Sequence, residues 1–461
     1  MSYNATTHIR TLATSTVHRR ISGLAGALLM VLALSACSSS PTKADEAALT
    51  ESITGGTVNA NAIREFEEAV VAFEGADLVK AKAHLERAIK EDGRFGKAWF
   101  NLGVLHELNG DKDEARKSYQ KALEFAPKLG AAYVNLGLMA INGDERDAAW
   151  DMFQKAVEVQ PYNPEAQNNI SVILRERKQY AEAVNHARRS LAGDSQNTKP
   201  YANLAHIYYD RGNYDVAKLV MLNAVQIDEK DADLYNILGL IELAQNDVTA
   251  AIAYFQRTLK LRADHVPALL NLGAIILNVR DYERAVTLFE TALQHRPNDI
   301  EALISIAVAK RGLGDLAGAR QYYDKVIALD ANNAMVQFNL GVLEHEHMAQ
   351  NAQMGVGGAE PPEDPIEQMD WNIANMKSSI THYEKALEHY RQYLYLDKSD
   401  NADARKEAND RIGQVSQIIQ MTNEQMPLMD QQKDDMRNQL KEQAEWEAQQ
   451  AAGEGGDGAE Q

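Results

Sequence analysis

The chain has 461 residues, with 66 acidic side chains against 47 Lys and Arg, a formal net charge of -19. This balance argues against nucleic acid as a partner, because phosphate binding needs clustered cations and no basic patch offsets the acids. A single cysteine excludes an internal disulfide.

The amino terminus has the pattern of an export signal. Three arginines and no acid lie in the first 20 residues, an uncharged apolar stretch follows over 21–36, and Cys37 comes directly after it. The apolar stretch is shorter than the roughly 20 residues that span a bilayer. This pattern resembles bacterial lipoprotein signals, so that residues 1–36 would be a signal peptide and Cys37 would carry the lipid. An incidental thiol beside an uncleaved anchor is the alternative.

The residue after the cysteine bears on the cellular address. By the same resemblance, Ser38 in place of an aspartate favours the outer membrane, with the protein lipid-anchored and its folded part facing the periplasm. Residues 37–61 are rich in small and polar side chains and predict a flexible tether.

Residues 62–333 repeat with a period of 34. Alanine returns at one phase of every repeat, which predicts a helix crossing where only a methyl group fits. The alanine column consists of Ala81, Ala115, Ala149, Ala183, Ala217, Ala251, Ala285 and Ala319. An unbroken column of this kind predicts a stack of small, similar building blocks.

Each repeat predicts two helices joined by a turn. In the repeat that begins at Gly96, one apolar face includes Leu102, a turn follows at Gly110 and Asp111, and a second apolar face ends before Pro127. A large residue at position 7 and a small one at position 8 recur through the stack, which predicts close packing of the two helices.

These columns resemble the tetratricopeptide repeat, a 34-residue helix-turn-helix building block. The resemblance implies an all-α fold, a right-handed superhelical solenoid of about nine repeats with a concave groove. Eight repeats occupy 62–333. A ninth occupies 334–400 and contains an inserted loop over 348–369, where glycines and prolines cluster.

The end of the chain predicts two further segments. Residues 401–425 carry one apolar face and predict a capping helix that closes the last repeat. Residues 426–461 predict an acidic tail that is partly helical or disordered.

Asparagine recurs at position 6 of the first helix, which the resemblance places in the concave groove. A side-chain amide both donates and accepts, so a ladder of amides can bind the main chain of an extended peptide. The alternative is that each amide bonds within its own repeat. The predicted peptide-binding residues are Asn101, Asn135, Asn169, Asn203, Asn271, Asn339, Phe100 and Tyr209.

Catalytic patterns are scarce. His345 and His347 are two residues apart and would point in different directions on a helix, whereas ligands that share a face need a spacing of three or four. No phosphate-binding glycine loop and no nucleophile elbow occurs in the sequence. We therefore expect no catalytic residue, no metal and no cofactor.

Together, these patterns predict a non-enzymatic, lipid-anchored scaffold. It would bind a partner protein or an extended peptide segment during assembly of an envelope or outer-membrane complex. It is similar in architecture to lipid-anchored tetratricopeptide proteins of pilus, gliding-motility or secretion systems. An adaptor for cell-wall hydrolases or synthases is the alternative function.

Overall fold

The computed structural model describes residues 58–355, 360–399 and 401–454. Helices dominate these ranges and no strand occurs in them, which confirms the all-α fold. The predicted signal peptide, Cys37 and nearly all of the predicted tether lie outside the described residues. The rest divides into two compact bodies, an amino-terminal body up to Leu261 and a carboxy-terminal body from Arg262.

The amino-terminal body contains six helix pairs, one for each repeat. Within each pair the two helices pack against each other, and the second helix contacts the first helix of the next repeat. The helices are α1 (Ala60–Glu74), α2 (Leu78–Glu91), α3 (Gly96–Leu108), α4 (Lys112–Phe125), α5 (Gly130–Asn142), α6 (Arg146–Val159), α7 (Pro164–Glu176), α8 (Tyr180–Gly193), α9 (Thr198–Asp210), α10 (Tyr214–Ile227), α11 (Ala232–Ala244) and α12 (Val248–Leu261).

The carboxy-terminal body continues the same pattern and ends with longer helices. Its elements are α13 (Val266–Asn278), α14 (Tyr282–His295), α15 (Ile300–Gly312), α16 (Leu316–Leu329), α17 (Ala334–Val342), a π-helical segment (Leu343–Met348), α18 (Ala349–Gln353), α19 (Pro365–Leu396) and α20 (Ala402–Glu454). No helix in the described part of the chain combines the length and apolar character that crossing a membrane requires.

The alanine column lies at the helix crossings, as the period predicts. All eight of its members have no exposed surface. The small residue at position 8 packs on the aromatic ring at position 24: a Cβ added to Gly239 would lie 2.5 Å from the ring of Phe255. The two columns therefore set how closely the helices of a repeat approach.

The turn between the two helices has one conformation in all eight repeats. Position 15 has φ between 59° and 84° throughout, the left-handed region that favours glycine. The residues are Ala76, Gly110, Asp144, Lys178, Gly212, Asn246, Arg280 and Gly314. Only three of the eight are glycine, so the packed helices impose the turn on the other five.

The ninth repeat differs from the predicted loop over 348–369. Its first helix does not turn after 13 residues but continues through the π-helical segment and α18 as far as Gln353. Its second helix begins at Pro365, where Asp364 Oδ1 accepts hydrogen bonds from the main-chain N–H groups of Ile366 and Glu367. The connection spans 354–364, because this cap and the proline start a helix earlier than the repeat pattern does.

The segment after the ninth repeat also differs from the prediction. The predicted capping helix over 401–425 does not end there, since α20 runs as one helix through Pro427 to Glu454. Its first part does cap the repeat: Val415 is fully buried in one cluster with Tyr390 of α19. Residues 455–461 of the predicted tail lie outside the described residues.

Candidate partner-binding face

The predicted groove residues belong to the first helices of the repeats. Positions 2, 5, 6, 9, 12 and 13 of these helices, α3, α5, α7, α9 and α11 in the amino-terminal body, form what we call the inner-helix face. The first question is whether the position-6 amides lie open on this face or bond within the chain.

Asn135 is buried and bonds within the chain. Its Nδ2 donates to the hydroxyl of Tyr119 over 3.0 Å, and that hydroxyl donates to Glu107 Oε2 over 2.7 Å. Burial and the carboxylate together hold the pKa of Tyr119 far above its usual range. The amide thus holds a tyrosine that also fills the position-24 packing site.

Asn169 and Asn203 also have partners in the chain. Asn169 Nδ2 donates to the main-chain oxygen of Glu165 over 2.8 Å. Asn203 Nδ2 donates to Ser171 Oγ over 2.8 Å, and this hydroxyl donates to the main-chain oxygen of Ala183 over 2.7 Å. Ser171 and Asn203 therefore link two consecutive repeats.

In the carboxy-terminal body, Asn339 Nδ2 donates to the main-chain oxygen of Met335 over 2.9 Å, and Asn271 is buried. Asn101 in α3 is only partly buried. Four of the six predicted amides thus use their N–H groups inside the chain, as the alternative interpretation expects. An open amide ladder along the face is not what the structure contains.

The two predicted aromatic residues have different surroundings. Phe100 is buried and its ring packs on Tyr119, with centroids 5.6 Å apart. Tyr209 is partly buried and meets Tyr214 edge to face at 5.3 Å. Phe100 belongs to the core, whereas Tyr209 borders the inner-helix face.

A cluster of ionisable side chains on α7 and α9 occupies the middle of the inner-helix face. Arg175 Nε lies 3.6 Å from Asp210 Oδ2, with His206 beside Arg175. Glu165 stands at the start of α7, near Lys199 at the start of α9. We call these five residues the polar cluster.

The protonation of the polar cluster follows from its partial burial. Loss of solvent, reinforced by the charge of Arg175, lowers the pKa of His206 to about 3, so this imidazole is neutral at physiological pH. Burial raises the pKa of Glu165 and of Asp210, and the nearby Lys199 and Arg175 oppose that rise. These carboxylates are incompletely solvated, and a further cation or N–H donor would stabilise them.

Sequence analysis missed the polar cluster, although the repeat alignment carries a signal for it. Position 9 holds Val104, Leu138, Val172 and Leu240 in neighbouring repeats but His206 in the fifth. A polar residue that interrupts an apolar column marks a place where the packing role has been given up.

The Glu-His-Glu-His run is occupied by ion pairs. Glu344 is buried and bonds to Arg320 and His382, while Glu346 pairs with Arg411. Within the described ranges, no group of three or more His, Cys, Asp or Glu side chains is arranged to hold a metal ion. These acids contribute to packing between helices.

Four stretches of the chain match the tetratricopeptide repeat family: residues 96–129, 165–193, 203–266 and 277–340. The first stretch coincides with the repeat that opens at Gly96. The chain therefore contains tetratricopeptide repeats, in the register that the alanine column predicts. Among curated proteins, none matches the chain.

Solved structures of similar fold include two pilus proteins. PilW, a type IV pilus biogenesis factor, is 23% identical with a TM-score of 0.40, over 45% of this chain and 96% of that one. The pilF protein of Pseudomonas aeruginosa is 22% identical with a TM-score of 0.40, over 45% and 95%. A tetratricopeptide repeat protein from Parabacteroides merdae is 18% identical with a TM-score of 0.46, over 54% and 99%. At these identities the likeness concerns the fold alone.

Proposed function

We propose that this chain is a non-enzymatic scaffold that binds a segment of a partner protein on the inner-helix face of its amino-terminal body. The partner is a component of an envelope or outer-membrane complex of the pilus, motility or secretion type. Lipid on Cys37 anchors the scaffold in the outer membrane. The anchor and the address rest on the pattern of the first 37 residues.

The polar cluster is the observation that carries the binding proposal. Incompletely solvated carboxylates and a neutral imidazole stand beside partly buried apolar residues such as Val172 and Leu138. This mixture suits a segment that presents main-chain N–H groups or a basic side chain to the carboxylates and apolar side chains to the rest. With the N–H groups of four position-6 amides engaged inside the chain, recognition depends on the charged residues and less on an amide ladder.

Site-specific crosslinking in living cells tests the location of the binding face. A photoreactive residue at Val172 should give a defined adduct with an envelope protein. The same residue at the exposed Thr249, on the second helix of the sixth repeat, serves as the matched control. Identical adducts from both positions would contradict the inner-helix face as the binding site. An adduct with a cell-wall hydrolase or synthase would instead support the adaptor function.

Charge-removing variants test the chemistry. Glu165→Gln and Asp210→Asn keep size and shape but remove the two carboxylates, so the Val172 adduct should fall by about tenfold if each contact to charge contributes about 1.5 kcal/mol or more. Glu182→Gln, on the exposed surface of α8, is the matched control. Full adduct yield in the double variant would refute a role for the polar cluster.

The anchor is tested separately. Cys37→Ser should move the protein from the outer-membrane fraction to the soluble periplasmic fraction. Retention of the variant in the membrane would contradict lipidation at this residue.

A further inference from the structure

The carboxy-terminal body contains a half-open cavity of about 550 Å³. Its wall is mostly apolar and includes Leu316, Ala317, Leu343, Met348 and Ala352. Cavities of this size accommodate ligands larger than a single water cluster, and an apolar wall with a few polar groups is typical of binding sites.

The extension of the ninth repeat creates this cavity. Regular first helices end after 13 residues, but here the π-helical segment and α18 carry the chain onward beside α16. Leu343, Met348 and Ala352 of the extension face Leu316 and Ala317 at the start of α16 across the cavity. π-helical turns within α-helices occur frequently at functional sites.

The charged groups of the wall neutralise one another. Glu344 is buried, its Oε1 accepts from Arg320 Nη1 over 2.9 Å, and its Oε2 lies 2.6 Å from His382 Nδ1. Arg320 Nε also donates to Asp324 Oδ1 over 3.1 Å. Because the two carboxylates already flank the guanidinium, the wall offers no uncompensated charge to a ligand, and an uncharged occupant suits it.

Two neutral polar residues complete the site. Asn351 is exposed and Ser378 is partly buried, and both line the cavity. An amide and a hydroxyl each donate and accept, which matches the main chain of a polypeptide.

We propose that this cavity binds one or two large uncharged side chains, such as Trp, Phe or Leu, from a segment of a partner protein, while Asn351 and Ser378 bond to the main chain of that segment. The site belongs to the carboxy-terminal body and does not depend on the inner-helix face. Failure of the crosslinking experiment at Val172 would leave it unaffected.

Titration of the full chain with N-acetyltryptophanamide tests the site. This compound carries an uncharged aromatic side chain and two amides. With 13C-labelled methionine methyl groups, the NMR signal of Met348 should shift saturably, with a dissociation constant of about 1 mM or tighter for a ligand of this size. The signal of Met221, fully buried in the other body, should not move. N-acetylglycinamide, which lacks the side chain, should leave both signals unchanged.

Variants at exposed alanines supply the control. Ala317→Phe places a ring at the cavity wall and should weaken binding by about tenfold or more. Ala181→Phe puts the same ring at the same repeat position of an exposed helix and should leave binding unchanged. The absence of a saturable Met348 shift, equal affinity in Ala317→Phe, or an equal shift with N-acetylglycinamide would each overturn the proposal.

Discussion

At the scale of single residues, the turn at position 15 shows how the repeat constrains its backbone. Gly212 has φ of 74° with no atom near its missing Cβ, and Ala76 has φ of 59°. The only difference between these two turns that matters is whether the residue tolerates left-handed backbone. An alanine there carries a conformational cost of about 1–2 kcal/mol, partly offset by the lower entropy of its unfolded chain.

Reciprocal substitutions should therefore change stability in opposite directions. Gly212→Ala should lower the free energy of unfolding by about 1 kcal/mol, and Ala76→Gly should raise it by up to about 1 kcal/mol. Urea unfolding followed by circular dichroism measures both. A loss of stability in Ala76→Gly would show that the turn is not left-handed in solution.

Glu301 makes stability depend on pH. Burial, with a smaller effect of Asp299, raises the pKa of this carboxyl to about 7. The folded chain therefore binds more protons than the unfolded chain between about pH 4.5 and pH 7, and stability falls as pH rises through this window. Partial exposure keeps the loss to about 1–2 kcal/mol.

The Glu301→Gln variant should be more stable than the native chain at pH 8 by about that amount and equally stable at pH 4.5. Thermal or urea unfolding at the two pH values measures the difference. The exposed Glu283→Gln variant controls for the loss of one negative charge. An equal gain at both pH values would contradict the assignment to this carboxyl.

At the scale of helices, one ion pair recurs between repeats. Lys218 Nζ lies 2.6 Å from Glu242, and Arg320 Nη1 lies 2.9 Å from Glu344. In both cases the acid is buried at position 11 of a first helix, and the base lies at position 21 of the preceding second helix. The pairing joins one repeat to the next.

Removal of the base should be costly. Lys218→Met leaves the buried Glu242 carboxylate without its partner and should lower the free energy of unfolding by about 3 kcal/mol. Adding Glu242→Gln should recover most of this loss, which a double-mutant cycle measures. The exposed pair of Lys117 and Glu114, 2.6 Å apart, is the matched control, with an expected change below about 1 kcal/mol.

Pro427 weakens the long helix α20 from within. Proline lacks the N–H that the helix needs, at a cost of about 3 kcal/mol in a helix interior. Pro427→Ala should therefore slow amide hydrogen exchange over residues 428–440, whereas the start of α20, which packs on the ninth repeat, should change little. Unchanged exchange on both sides would indicate that the helix is already interrupted at this residue in solution.

At the scale of the molecule, stability should be a sum of local contributions. Each repeat contacts chiefly the helices next to it in sequence, so a defect in one repeat should remain near that repeat. Ala217 has no exposed surface at the crossing of its repeat.

Ala217→Leu should overfill that crossing and cost about 1–3 kcal/mol. Hydrogen exchange should quicken in α9 to α11 and change little in α1 to α4. Uniformly faster exchange across the amino-terminal body would contradict the local model, and no change at all would mean that the phase assigned to the alanine column is wrong.

Much of this fold follows from the period alone. The alanine column predicts the helix pairs and their crossings, because a side chain that must be small at a fixed spacing reports a contact that recurs. The ninth repeat escapes the same logic. Its extension depends on Asp364 and Pro365 starting a helix early and on the π-helical segment continuing another, and neither feature repeats.

The sequence by itself determined the architecture, the repeat register and the position of the turns, since these depend on short-range periodicity that every repeat states again. Only the tertiary structure decided the fate of the asparagines, the polar cluster and the cavity. Asn135 bonds to Tyr119 and Asn203 to Ser171, partners 16 and 32 residues away, and only coordinates reveal which partner a side-chain amide takes. The cavity likewise exists only where α16 meets the extended ninth repeat, because its volume depends on the distance between helices.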